Sequence, residues 1–78
     1  MMSISPLYDI LHKLHNDVDF ESHEALIDEG VLDSFDIVSL VAEISEAYGL
    51  QVPPEEITPE NFNSARLIFA MLERVSEE

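Results

Sequence analysis

Across 78 residues, 17 acidic side chains stand against 3 basic ones, a formal net charge of −14, and cysteine is absent. That charge repels nucleic acid and anionic membrane surfaces and steers the molecule toward basic partners, although on charge alone acidity that serves only solubility is the simpler reading. The missing thiols exclude disulfides, thiolate metal sites and a cysteine nucleophile. With 46% hydrophobic residues, the chain has enough apolar content to fold as one domain, residues 1–78, around a thin core. Self-repulsion of this size predicts that sodium chloride raises the melting temperature by screening it. A melting temperature that stays flat across a salt series would count against that.

In chain order, residues 1–6 show neither a basic region nor a long apolar stretch, so no signal peptide is expected there. Ser5-Pro6 reads as a helix start, a capping hydroxyl followed by proline at the first helical position. Leu7, Ile10, Leu11 and Leu14 then recur at helical spacing, and Asn16 to Asp19 end that helix. Residues 17–33 form a long connection in which Phe20, Ala25, Leu26, Ile27, Val31 and Leu32 can pack down onto the helices and Gly30 supplies a turn.

A second helix begins at Asp33-Ser34, either of which can cap it, and stops at Gly49. Its apolar face is read as Val38, Val41, Ile44 and Tyr48, widened by Ile37 and Leu40. Asp36, Ser39, Glu43 and Glu46 form the opposite, solvated face. Pro53-Pro54 makes residues 50–58 an extended connection anchored by Val52 and Ile57. Thr58-Pro59 opens one short turn carrying Phe62. Asn63 or Ser64 caps a last helix with Leu67, Ile68, Met71, Leu72 and Val75 inward. The expected fold is all-α: a small four-helix bundle, three main helices plus one short one, with a long loop between the first two. The longest apolar run, Leu67 to Leu72, is too short to span a bilayer, and a soluble, cytoplasmic protein is expected.

Chemistry is sparse. His12 and His15 could reach one metal ion, but they lack an evident third ligand beyond His23 or a carboxylate, and solvent-exposed histidines are the simpler reading. The carboxylates have no calcium-loop spacing, and no metal site is expected. Ser34, Asp33 and His23 suggest a hydrolase triad on paper. No nucleophile elbow, oxyanion loop or deep pocket accompanies them, so the chain reads as no enzyme.

The segment above background is Gly30-Val31-Leu32-Asp33-Ser34-Phe35-Asp36. Here the sequence resembles the acyl carrier protein family, whose signature is a glycine shortly before an Asp-Ser-hydrophobic triplet, between a long first loop and the second helix. Phe35 stands where leucine is commonest. Val38-Ser39-Leu40-Val41-Ala42-Glu43-Ile44 is similar to the family's second helix and Tyr48-Gly49-Leu50-Gln51-Val52-Pro53 to its exit, so that Leu14 to Val75 align in pattern.

The resemblance implies a carrier that holds an acyl or aminoacyl group as a thioester on a 4'-phosphopantetheine arm. The arm comes from coenzyme A, attached to Ser34 by a separate phosphopantetheinyl transferase that brings the magnesium and the base. It further implies a loading ligase and a downstream acyltransferase or synthase as partners, no membrane insertion, and a monomer. Asp33, Phe35, Asp36, Ala42, Glu43 and Glu46 are the partner contacts it implies. Ser39 and Ser45 stand where carriers of fatty acid synthesis usually have glutamates. The stretch from Pro53 to Asn63 looks closer to D-alanyl carrier proteins and stand-alone carriers of specialised pathways. The rival reading is a small acidic helical interaction domain that never receives an arm.

Overall fold

Short polar side chains set most helix starts in this chain. The computed structural model describes residues 2–77. Met1 and Glu78, the ends of the expected 1–78 domain, lie outside the described residues, as does the first residue of the signal-peptide reading. The elements are α1 (Ser5–Leu14), α2 (Ser34–Tyr48), a 3-10 turn (Pro54–Glu56), α3 (Pro59–Phe62) and α4 (Ala65–Ser76), and among the described residues there is no strand. The all-α bundle of three main helices and one short one is therefore what forms. Of these starts, α1 differs from expectation. Ser5 is its first helical residue rather than its cap, because Ile4 already has helical backbone angles. The free Ser5 N–H is satisfied instead by Ser3 Oγ at 3.2 Å.

The later starts follow the sequence. Asp33 caps α2, Thr58 Oγ1 accepts the Asn61 N–H in α3, and Ser64 Oγ accepts the Leu67 N–H in α4. Gly49 closes α2 in the left-handed conformation at φ 66°, where a side chain would be strained. The 50–58 stretch is less extended than expected, since its two prolines start a 3-10 turn. Asn61 and Arg74 both bond Glu56, tying that turn to α3 and α4.

The core is built where α1 meets α2 and α4, and where α3 meets α4. Leu7, Ile10 and Leu11 of α1 are buried with Leu40 and Ile44 of α2 and with Ile68, Met71 and Leu72 of α4. The α1–α2 connection contributes Phe20, Leu26 and Leu32, all at most 2% exposed, so it is a wall of the core rather than a free loop. Gly30 makes its last turn at φ 75°.

Three residues expected inside are outside: Val38 is 69% exposed, Leu67 44% and Ile57 40%. A helix turns by about 100° per residue, which carries Val38 off the stripe of Ile37, Leu40, Ile44 and Tyr48, and Leu67 off that of Ile68, Met71 and Leu72. The bundle has room for one stripe per helix, so the widening residues stay at its surface.

α1 and α2 run antiparallel and are bonded at both ends. At one end the Tyr48 hydroxyl donates to the Ser3 carbonyl at 2.6 Å and accepts the Leu7 N–H at 3.1 Å. Burial pushes this phenol above its usual value, which keeps the donating proton in place. Tyr48→Phe should lower the unfolding free energy by about 1 kcal/mol in urea titrations. An unchanged midpoint would mean that these bonds contribute nothing.

Candidate functional site

Ser34 is the first residue of α2, and its side chain is exposed. Asp33 and Asp36 form a reciprocal box around it. Asp33 Oδ1 accepts the Asp36 N–H at 2.9 Å, and Asp36 Oδ2 accepts the Asp33 N–H at 3.3 Å. Between the two alternatives the sequence left open, Asp33 is thus the cap, and the exposed Ser34 side chain takes no part in it. Asp33 also takes the Ile37 N–H on its carbonyl. The N–H groups of Ser34 and Phe35 precede any carbonyl a turn away within the helix, and they sit at the positive end of its dipole.

The histidines do not serve Ser34. His12 lies against Glu21 at 3.6 Å, His23 against Glu29 at 3.1 Å, and His15 Nε2 is 2.9 Å from Asp36 Oδ2. Neither a triad nor a shared metal pair is assembled, and the rings are half-buried beside carboxylates rather than free in solvent as expected. Among the described residues no cluster of three histidines and carboxylates could hold a metal ion.

Asp36 and Glu43, expected on the solvated face, are both engaged from the end of α1: its C-cap His15 meets Asp36, and Lys13 Nζ donates to Glu43 at 3.0 Å. The His15 contact, first, and the Asp33 bonds hold the Asp36 carboxyl below its usual range, so it stays an acceptor. Asp33, Phe35, Ala42 and Glu46 remain exposed. Phe35, Ala42 and Glu46 share one outward stripe, and Phe35 is 77% exposed.

Beside Ser34 opens an apolar cleft of about 490 Å³. It is lined by Leu32, Asp33, Ser34, Ile37 and Val38 around the start of α2, by Ile27 of the α1–α2 connection, and by Ile57, Thr58, Pro59 and Phe62 at and before α3. Val38 and Ile57, read from sequence as core, therefore line the cleft. For Val38 the signal was an excess: α2 carries more apolar residues than its buried stripe uses. His15 gave no such signal, because its partner lies across a long connection.

Asn63 clamps the segment that carries Ile27. Its Oδ1 accepts the N–H groups of Ile27 at 2.9 Å and Asp28 at 3.1 Å, and its carbonyl accepts that of Leu26 at 2.7 Å. The residue the sequence offered as a cap for α4 is instead a clamp on the connection.

This arrangement suits a phosphodiester on Ser34. The oxygen is exposed, the neighbouring N–H groups and helix dipole favour added negative charge, and the cleft gives an attached chain an apolar flank. The family described as "Phosphopantetheine attachment site" matches residues 9–71. A D-alanyl carrier protein of Streptococcus equi subsp. zooepidemicus is 33% identical over 76 residues, covering 96% of each chain. One from Lactococcus lactis subsp. cremoris is 28% identical over 74 residues, covering 92% of this chain and 94% of the relative. No solved structure matches. Among the described residues no helix is long and apolar enough to cross a membrane.

Proposed function

The chain belongs to the phosphopantetheine-attachment carrier family, and on that footing we propose that Ser34 takes the arm and that its cargo is an aminoacyl group of the D-alanyl kind. The observation that carries the site is the exposed Ser34 hydroxyl at the start of α2, freed from capping by Asp33 and seated at the mouth of the apolar cleft. A new bond from Ser34 Oγ to the phosphorus of coenzyme A's pantetheine phosphate would displace the adenosine bisphosphate portion. The hydroxyl proton would leave to a base on the transferase, since the three histidines here are turned to carboxylates. The arm supplies a thiol on which the acyl group is held as a thioester. The chain itself would supply no catalytic group.

The cargo reading rests on relatives named as D-alanyl carriers that align over nearly the whole chain. Partners would then be a phosphopantetheinyl transferase, a ligase that loads the amino acid and an acyltransferase that removes it, all in the cytoplasm or at its membrane face. Asp33, Phe35, Ala42 and Glu46 give them an exposed apolar and acidic stripe. Asp36 and Glu43 would meet partners while competing with His15 and Lys13 for the same carboxylates. Loading tests the cargo. The pantetheinylated protein, given ATP and a D-alanine-activating ligase, should gain a hydroxylamine-labile D-alanyl group. Loading by a fatty acyl ligase alone would overturn that assignment.

A further inference from the structure

We propose that His15 is a positioning residue for Ser34. This inference rests on Ser34 being the attachment point, and it concerns what holds that serine in place. His15 is the residue that follows α1, at its C-cap. Its Nε2 lies 2.9 Å from Asp36 Oδ2, and the same oxygen accepts the Asp33 N–H at 3.3 Å. A carboxylate can only accept, so the imidazole donates. Asp33 and Asp36 bracket Ser34 and Phe35, and the Asp36 N–H closes the box on Asp33 at 2.9 Å. His15 thereby joins the start of α2 to the end of α1, two points that the chain itself connects only through residues 16–33.

The neighbouring Lys13–Glu43 pair does not substitute for it. Glu43 is two turns further along α2, and Lys13 is 68% exposed, so that pair is solvated and weak. In the His15–Asp36 pair the side chains are 33% and 17% exposed, and the carboxylate has a further fixed bond. Without the imidazole, Asp36 Oδ2 keeps only the longer of its two contacts. The Asp33 N–H then loses a fixed acceptor, and the first turn of α2 gains freedom where a transferase must place Oγ in line with phosphorus.

The test uses the full chain with coenzyme A, magnesium and a phosphopantetheinyl transferase, at a temperature where circular dichroism shows each variant folded. His15→Ala should lower kcat for transfer about five- to tenfold with KM nearly unchanged, because orientation rather than docking is lost. His15→Gln, whose amide can donate the same bond, should restore the rate to within about twofold. Hydrogen exchange of the Asp33 amide should quicken in His15→Ala and return toward the native rate in His15→Gln. An alanine variant that is folded and transfers at the native rate would overturn the proposal, as would a glutamine variant no better than alanine. No transfer to the unmodified chain would instead remove the attachment reading on which the proposal stands. If His15→Ala does not fold, the glutamine variant decides by the same rate criterion: a fivefold loss with native Asp33 exchange overturns the proposal, and a native rate with native exchange supports it.

Discussion

Ser34→Ala will accept no phosphopantetheine and will melt where the unmodified chain does. The two halves of this result come from different atoms. On the proposed site, attachment needs an oxygen nucleophile at the first position of α2, and alanine has none. Stability needs the cap, and the cap is Asp33, whose Oδ1 holds the Asp36 N–H. Removing an exposed hydroxyl that plays no part in that box should shift stability by less than about 0.5 kcal/mol. Asp33→Ala should show the reverse emphasis, a loss of about 1 kcal/mol from the missing cap while a serine remains available. Intact-mass spectrometry and thermal melts on the two variants separate the roles. A Ser34→Ala protein that melts many degrees lower would show that Ser34 itself carries structural weight.

The second large effect is expected at Asn63. Asn63→Leu should cost about 2 kcal/mol, since the Ile27 and Asp28 N–H groups both lose their acceptor and the Ile27 group is partly buried. At about 4–8 °C per kcal/mol for a domain of this size, the melting temperature falls by roughly 10 °C. Asp28→Ala removes only the exposed side-chain contact to Asn63 Nδ2 and should change stability by less than about 0.5 kcal/mol. Equal melting temperatures for Asn63→Leu and the unmodified chain would mean that water replaces the clamp at no cost. Because Ile27 is part of the cleft wall, loosening it should also be felt beside Ser34.

The helices were legible because their signals are local. Thr58-Pro59, Asn63-Ser64 and Tyr48-Gly49 each state a start or a stop within a few residues, and the structure places α3, α4 and the end of α2 accordingly. The apolar stripes of α1 and α4 were legible for the same reason. What the sequence misplaced depends on how many residues a small bundle can cover. Val38, Ile57 and Leu67 are apolar and helically spaced or well flanked, yet the core was already filled by their neighbours. Local reading cannot count that limit. The contacts it missed altogether, His15 with Asp36 and Asn63 with Ile27, join residues 21 and 36 positions apart.

At the site Asp33-Ser34 was legible as the start of α2, but which of the two caps the helix was not: Asp33 does. The same is true of the acidic face. Four of the six residues expected to meet partners are exposed, Asp33 with one carboxylate oxygen spent on the cap, while Asp36 and Glu43 are held by His15 and Lys13. The cleft at Ser34 arises from segments as distant as Ile27 and Phe62, brought together by the Asn63 clamp and by α3.

With eight serines in the chain, the location of the modification is the decisive observation. After incubation with coenzyme A, magnesium and a broad-specificity phosphopantetheinyl transferase, the unmodified protein should gain one phosphopantetheine, and fragment masses should place it on Ser34. A gain located on any other serine, or no gain with several transferases, would contradict the account and leave a small acidic interaction domain in its place.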